Sequence, residues 1–468
     1  MGPKYDPQID FPEIYNTCKP FILNDDDLLK IRNVMDHEIN LGLSRDGHDR
    51  SSIPCYLSYV QDLPTGRERG RFLALEILPT NCRIMLVKFS SEKDVYMSSK
   101  CIIMPHTITA SKGNELFSFL AQHIAIFVKE KKVEKDNLPM GIAFAFPLNK
   151  LALDVGVLLA WSKGYGAQGA VGKDVVQLLR EALVRYPDVA VNIMGIINVG
   201  TGTLMALCWT IPDTKMGLIV GTITNACYVE QVSNCELFDE EIDTKKDLMI
   251  INTDWARFGE NGQLDFIRND FDKILDSESS SPGSRLYEKC VATLFAGELV
   301  RLILMRLMKS GIIFVNQKRD YIGIQWKMEM KSLIAIESDP PGVFVKAQEV
   351  MDKFQIRNCK EKDLAALRFI CETVMTRSAQ MVGCGVACIL NRMKYPKVSI
   401  AVDGGLYRLH PTYPVKLNYY TRLLADPEYK FEIVVAEDSC GVGAAIMAGQ
   451  TYVNVHTRSE SKLFHMDI

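Results

Sequence analysis

The strongest constraint on the fold is a single run, Met194-Gly195-Ile196-Ile197-Asn198-Val199-Gly200-Thr201-Gly202-Thr203-Leu204-Met205. An apolar, strand-like segment delivers an asparagine to a tight Gly/Thr turn, and an apolar, helix-compatible segment follows. A strand that ends this way places polar groups at the carboxyl edge of a sheet, where α/β proteins bind ligands. Asn198 can donate and accept hydrogen bonds through its side chain; Val199 can do neither.

The same grammar recurs along the chain. Apolar runs around a Pro-bearing turn at 71–87 predict a β-hairpin, and 102–108 reads as a further strand. Strands are also predicted at 141–147, 216–220, 248–252, 398–402 and 432–436. Helical spacing is found over 25–43, 113–128, 174–185, 287–310 and 361–390, the last with a break expected at Gly383 and Gly385. Pro54–Arg71 reads as a loop, and residues 158–165 as an aromatic one. Strands alternating with helices predict an α/β protein, and 468 residues exceed one ordinary core. The expected division is a lead-in (1–20), a first domain (21–209) that also takes a helix near 440–453, a second domain (210–439) and a tail (454–468).

Composition excludes several classes. Hydrophobic residues at 47% and charged residues at 24% suit a globular protein, and a net charge of −3 gives no general attraction for nucleic acid or anionic lipid. No run reads as a membrane span, and no secretory apolar core follows Met1. Thirteen dispersed cysteines without C-x-x-C pairs suit reduced thiols in a cytoplasmic protein. Seven histidines form no pair at ligand spacing, so a metal site built from protein ligands alone is not expected. No Gly-x-Ser-x-Gly elbow favours a hydrolase.

Four strand ends carry Gly-rich turns at 200–203, 221–224, 404–405 and 441–443. Each alone is better read as a glycine turn needed for backbone geometry than as a phosphate site; together they favour a nucleotide fold. Asn198, Asn225, Asp254, Glu298, Ser162 and Lys163 have the donor and acceptor chemistry that a polyhydroxyl ligand needs. For Glu298 the plain alternative is a helix-face carboxylate paired with Arg301 at i+3, and for Ser162 and Lys163 a solvated loop.

The chain resembles a eukaryotic hexokinase of the single-unit type over nearly its whole length. The resemblance rests on Leu158–Tyr165 (LLAWSKGY), Gly221–Tyr228 (GTITNACY), Pro282–Lys289, Gly297–Arg301 (GELVR), Thr376–Gly385 (TRSAQMVGCG) and Val402–Pro411 (VDGGLYRLHP). It implies the α/β actin-like ATPase (RNase-H-like) two-domain fold, with an interdomain cleft for a glucose-class hexose and Mg-ATP mainly on the second domain. On the sugar side it implies Ser162, Lys163, Asn198, Asn225, Asp254 and Glu298. Ala145 stands where the family has serine, and Arg285 where it has glutamine. For the nucleotide it implies Thr80, Asn81, Arg83, Thr222, Thr224, Asp403, Gly404 and Gly441.

The departures fall where chemistry is expected. Val199 holds the position of the family's aspartate, the base that takes the proton from the sugar 6-hydroxyl. Leu78 and Pro79 replace glycines of the first phosphate hairpin, and proline has no N–H to offer. Ile223 interrupts the second Gly-Thr-Gly-Thr turn. Three functions follow: a slow hexokinase, a catalytically impaired hexose-binding regulator, or an interaction module that keeps only the fold.

Overall fold

The computed structural model describes residues 12–90, 94–162, 164–238, 246–436 and 439–464, with side chains as far as Asn454. Two sheets share one topology. In the first, a meander of Gly70–Ile77, Asn81–Phe89 and Val95–Ile103 is antiparallel, and Leu138–Phe144 and Val191–Asn198 extend it in parallel from its first strand. In the second, Thr214–Val220, Thr224–Gln231 and Leu248–Asn252 form the meander, and Lys397–Asp403 and Lys430–Val435 extend it in parallel. The short strand Tyr56–Leu57 adds to the far edge. This is the expected α/β two-unit architecture. Val199, directly after the last strand of the first sheet, and Asp403, at the end of the first parallel strand of the second, line one cavity.

The second unit is built around the helix Glu361–Met393, whose middle is buried on all sides. It is long and apolar enough to cross a bilayer, against the sequence expectation, yet it is packed inside the protein. It is also unbroken. Gly383 and Gly385 do not end it; they admit neighbours. A Cβ on Gly385 would lie 2.6 Å from the Trp255 ring, and one on Gly383 would lie 3.0 Å from the Cβ of Tyr420. Arg377 of this helix is fully buried, bonded to both oxygens of Asp272 at 2.7 and 2.8 Å and stacked on Phe21.

Several expected boundaries shift for physical reasons. The helix Asp25–Leu43 forms as predicted and is opened by a capping box between Asn24 and Asp27. Its apolar face, however, joins the second core, as do Ile14, Cys18 and Leu57. Residues 12–57 therefore pack with the second unit, not the first, and the lead-in is helical from Pro12. The strand expected at 102–108 ends at Ile103, because Pro105 opens a helical turn at His106–Thr109. The helix expected at 287–310 is two, Leu286–Val291 and Thr293–Lys309, separated by extended Ala292. Thr293 N donates to Gly221 O at 2.8 Å, which ties the second helix to a site turn.

The terminal helix Ser439–Phe464 runs past the expected start of the tail and packs on the first sheet and on the helix Val199–Thr210. Contact there is close: a Cβ on Gly443 would meet the Gly202 carbonyl oxygen at 2.0 Å. Lys150 joins the units elsewhere, donating to Ser58 O at 2.6 Å and Ile196 O at 2.5 Å.

Candidate functional site

The strand Val191–Asn198 ends on the side chain that caps the next helix. Asn198 Oδ1 accepts from Thr201 N at 2.6 Å, so its backbone stays extended while the helix Val199–Thr210 begins. Capping occupies the Asn198 oxygen, and the residue lines a cavity between the units. Ser162, Asn225, Asp254, Asn252, Tyr56 and Arg285 also line that cavity. Asn225 Nδ2 donates to Asn252 Oδ1 at 2.8 Å, which fixes the amide orientation. Below them Cys227 Sγ lies 3.2 Å from Asn198 Oδ1, and burial pushes its thiol up to about 12, so it stays protonated.

Two residues of this cavity hold left-handed backbones, Asp254 at φ 47° and Arg285 at φ 55°. Each opens a short helical segment, and each is uncommon for a non-glycine residue. Burial pushes the Asp254 carboxyl above its ordinary value, and Arg285 and Arg257 pull it back in part.

A second cavity, of about 330 Å³, adjoins on the side of the second unit. Thr222, Asp403, Gly404, Thr293, Lys331 and Leu406 line it. Val199, Ile219 and Ile223 line both cavities. They are common to the two cavities, and none has a side chain that can accept a proton or bind an anion.

The expected residues divide. Ser162, Asn198, Asn225 and Asp254 meet in the first cavity, with Val199 at its inner edge; Lys163 lies outside the described residues. Glu298 does not join them. It is buried against Arg301 at 2.5 and 2.8 Å and accepts from Trp326 N at 2.8 Å. The i+3 pairing is therefore its role here. The carboxylate that does reach this region is Glu288, which accepts from Thr224 N at 2.9 Å and from Arg285. Sequence reading missed Glu288, Asn252 and Tyr56. Asn252 had a signal, at the end of a strand two residues before Asp254. Tyr56 had none, because a two-residue strand pairing across the chain leaves no periodicity.

On the nucleotide side Thr222, Asp403 and Gly404 line the second cavity, but Thr224 faces the first, and its hydroxyl oxygen accepts from Trp255 Nε1 at 3.0 Å. Thr80, Asn81, Arg83 and Gly441 line neither. Thr80 and Asn81 close the hairpin on each other at 3.2 Å. Arg83 is bound by buried Glu76 at 2.6 and 3.0 Å, and Gly441 N donates to the same carboxylate at 2.6 Å. Asp403 is engaged by Arg408 and by Gly404 N. Asp438, in the last turn, lies outside the described residues.

Comparison with known proteins gives one family. Hexokinase family models match residues 13–209 and 215–450. Hexokinase type 1 of Drosophila melanogaster is 65% identical across the whole of both chains. Hexokinase HKDC1 of Homo sapiens is 34% identical over 91% of this chain, which spans only 46% of that protein. Among solved structures, a hexokinase from Schistosoma mansoni complexed with glucose superposes with a TM-score of 0.87 and 32% identity, over 95% of this chain and 99% of the other.

Proposed function

The chain belongs to the hexokinase family, and from that membership we propose a protein that binds a glucose-class hexose in the first cavity and transfers phosphate to its 6-hydroxyl weakly or not at all. The observation that carries this reading is the apolar set Val199, Ile219 and Ile223 that the two cavities share. A hydroxyl attacking a phosphorus must lose its proton, and the transferred group must be held by donors or cations. At Val199 there is no base, a loss of about 10²–10⁴ in rate in general-base systems.

The family's phosphoryl donor is Mg-ATP, and the residues here fit it poorly. The Gly441 amide, which a phosphate would need, is committed to Glu76, as is Arg83. Pro79 offers no N–H in the first hairpin. Among the described residues no group of three His, Cys, Asp or Glu side chains could hold a metal ion. When bound, Mg²⁺ would supply charge neutralisation on the phosphates; this chain's own contribution is to orient the sugar through Asn198, Asn225 and Asp254.

A second reading, a hexose-binding regulator without turnover, is favoured by the same contrast: polar groups persist on the sugar side while the residues shared with the second cavity are apolar. The glucose in the Schistosoma mansoni structure supports the ligand class. Thirteen cysteines without a disulfide support a reducing compartment such as the cytoplasm.

The test is formation of glucose 6-phosphate by wild type, Val199→Asp, and Val199→Asp with Leu78→Gly and Pro79→Gly. Background turnover in wild type that rises through the series supports impairment. Wild-type turnover of about 1–10³ s⁻¹, the ordinary enzyme range, would overturn it.

A further inference from the structure

Arg285 occupies the rim of the sugar cavity with its guanidinium turned inward on the protein's own carboxylates. Nε and Nη2 donate to the two oxygens of Glu288 at 2.8 and 3.0 Å, and Nη1 stands 3.9 Å from Asp254 Oδ1. Its backbone N–H donates to Glu260 Oε1 at 2.7 Å, which holds the left-handed turn from which the side chain departs. The pair is sheltered: the Glu288 side chain is 5% exposed and that of Arg285 27%. Burial works against the guanidinium charge, but Glu288 and then Asp254 more than restore it.

A sugar hydroxyl is both donor and acceptor, and its strongest partner in a sheltered cavity is a carboxylate. Here Asp254, which lines the cavity, and Glu288, which lies behind Arg285, both already face that cation. Arginine has no acceptor, so it cannot take the hydroxyl protons in their place. A fork-to-fork pair also resists displacement more than a single bond does. The family resemblance puts a neutral glutamine at this position, which could share the cavity with a hydroxyl without neutralising Asp254 or Glu288.

We propose that Arg285 sets the affinity of the hexose subsite: a bound hexose must compete with the Arg285 fork for Glu288 and with its Nη1, 3.9 Å away, for Asp254. The inference rests on the hexose-binding reading above. It concerns equilibrium binding alone and needs no phosphoryl transfer.

Calorimetric titration with glucose, in the absence of nucleotide, tests it on the full chain. Arg285→Gln should lower the glucose Kd by about tenfold, the effect of freeing one charge-assisted hydrogen bond. Arg285→Lys keeps the charge without the fork and should fall between the two. Adding Glu288→Gln to Arg285→Gln should abolish the gain, a coupling that a purely structural role for Arg285 does not produce. Thermal unfolding of each variant confirms that it is folded. A folded Arg285→Gln protein whose Kd is unchanged or weaker overturns the inference while leaving hexose binding intact. Absence of glucose binding in wild type and in every variant overturns both.

Discussion

Gly441 donates its backbone N–H to Oε1 of Glu76 at 2.6 Å, joining the start of the terminal helix Ser439–Phe464 to the strand Gly70–Ile77 of the first sheet. The same carboxylate takes Arg83 on both oxygens and lies 2.8 Å from Cys440 Sγ. Glu76 is fully buried, so these partners are what keep its charge tolerable. Groups that sequence comparison assigns to phosphate thus satisfy one another.

Glu76→Gln removes the charge that Arg83 faces while preserving size. The Arg83 side chain is 19% exposed and loses the carboxylate charge it meets on both oxygens. The expected loss of stability is about 3 kcal/mol, in the range for breaking a buried pair from one side. Urea unfolding measures it, and a change below about 0.5 kcal/mol would show that the pair contributes little.

With its phosphate donors committed internally, the protein should respond weakly to nucleotide. If the Kd for ATP lies above about 1 mM, then about 1 mM ATP stabilises the fold by less than about 0.4 kcal/mol. Thermal unfolding with and without Mg-ATP reads this directly. A shift equivalent to about 2 kcal/mol would mean that the cradle opens on binding.

Gly385→Ala separates two opposed effects. In an exposed helix the change would stabilise by about 1 kcal/mol through propensity. Here the new Cβ would sit 2.6 Å from the Trp255 ring and 3.1 Å from Met35 Cε. Overpacking of this kind costs about 1–3 kcal/mol, so the net sign should be destabilising. Because Trp255 also bonds Thr224 in the cavity, weaker glucose binding should accompany the drop in unfolding temperature.

Lys150 gives a pH signature. Burial pushes its pKa down to about 7, against an unfolded value of about 10.4. Folding therefore favours the neutral amine. The stability this group contributes is fully present above the unfolded value and is lost as the pH falls towards about 7. Between pH 10 and 7 the wild type should lose stability relative to Lys150→Met, and below about 6 the two curves should run parallel. Parallel curves across the whole range would sink the assignment.

The legibility of the sequence followed the range of the interactions. Asn198, Asn225 and Asp254 were readable because each ends a strand or follows one closely, and the topology then carries those ends to one cavity. The helix Asp25–Leu43 was readable from its stripe, but the core that its stripe serves was not, since periodicity names a buried face without naming the partner. Glu298 was misread for the opposite reason. A helix carries it in the right unit, yet Arg301 at i+3 and the Trp326 amide take its oxygens locally. Glu288 was passed over because its neighbour Arg285, which hides it from the cavity, is itself the departure from the family pattern. Gly383 and Gly385 looked like breaks because propensity counts backbone entropy and cannot see a tryptophan arriving from 130 residues away in sequence.

The interleaving of the two units bears on how the protein is made. Residues 12–57 complete the core of the second unit, and the helix Ser439–Phe464 covers the sheet of the first. The first sheet has all its strands once Asn198 is synthesised, but its covering helix emerges about 250 residues later, a delay of about 10–50 s at ordinary elongation rates. During that interval the strands Gly70–Ile77 and Leu138–Phe144 stand with one apolar face bare on the ribosome. Chaperone engagement should therefore be longest in that window, and a ribosome stalled before residue 439 should hold a first unit that protease digests and a completed chain resists.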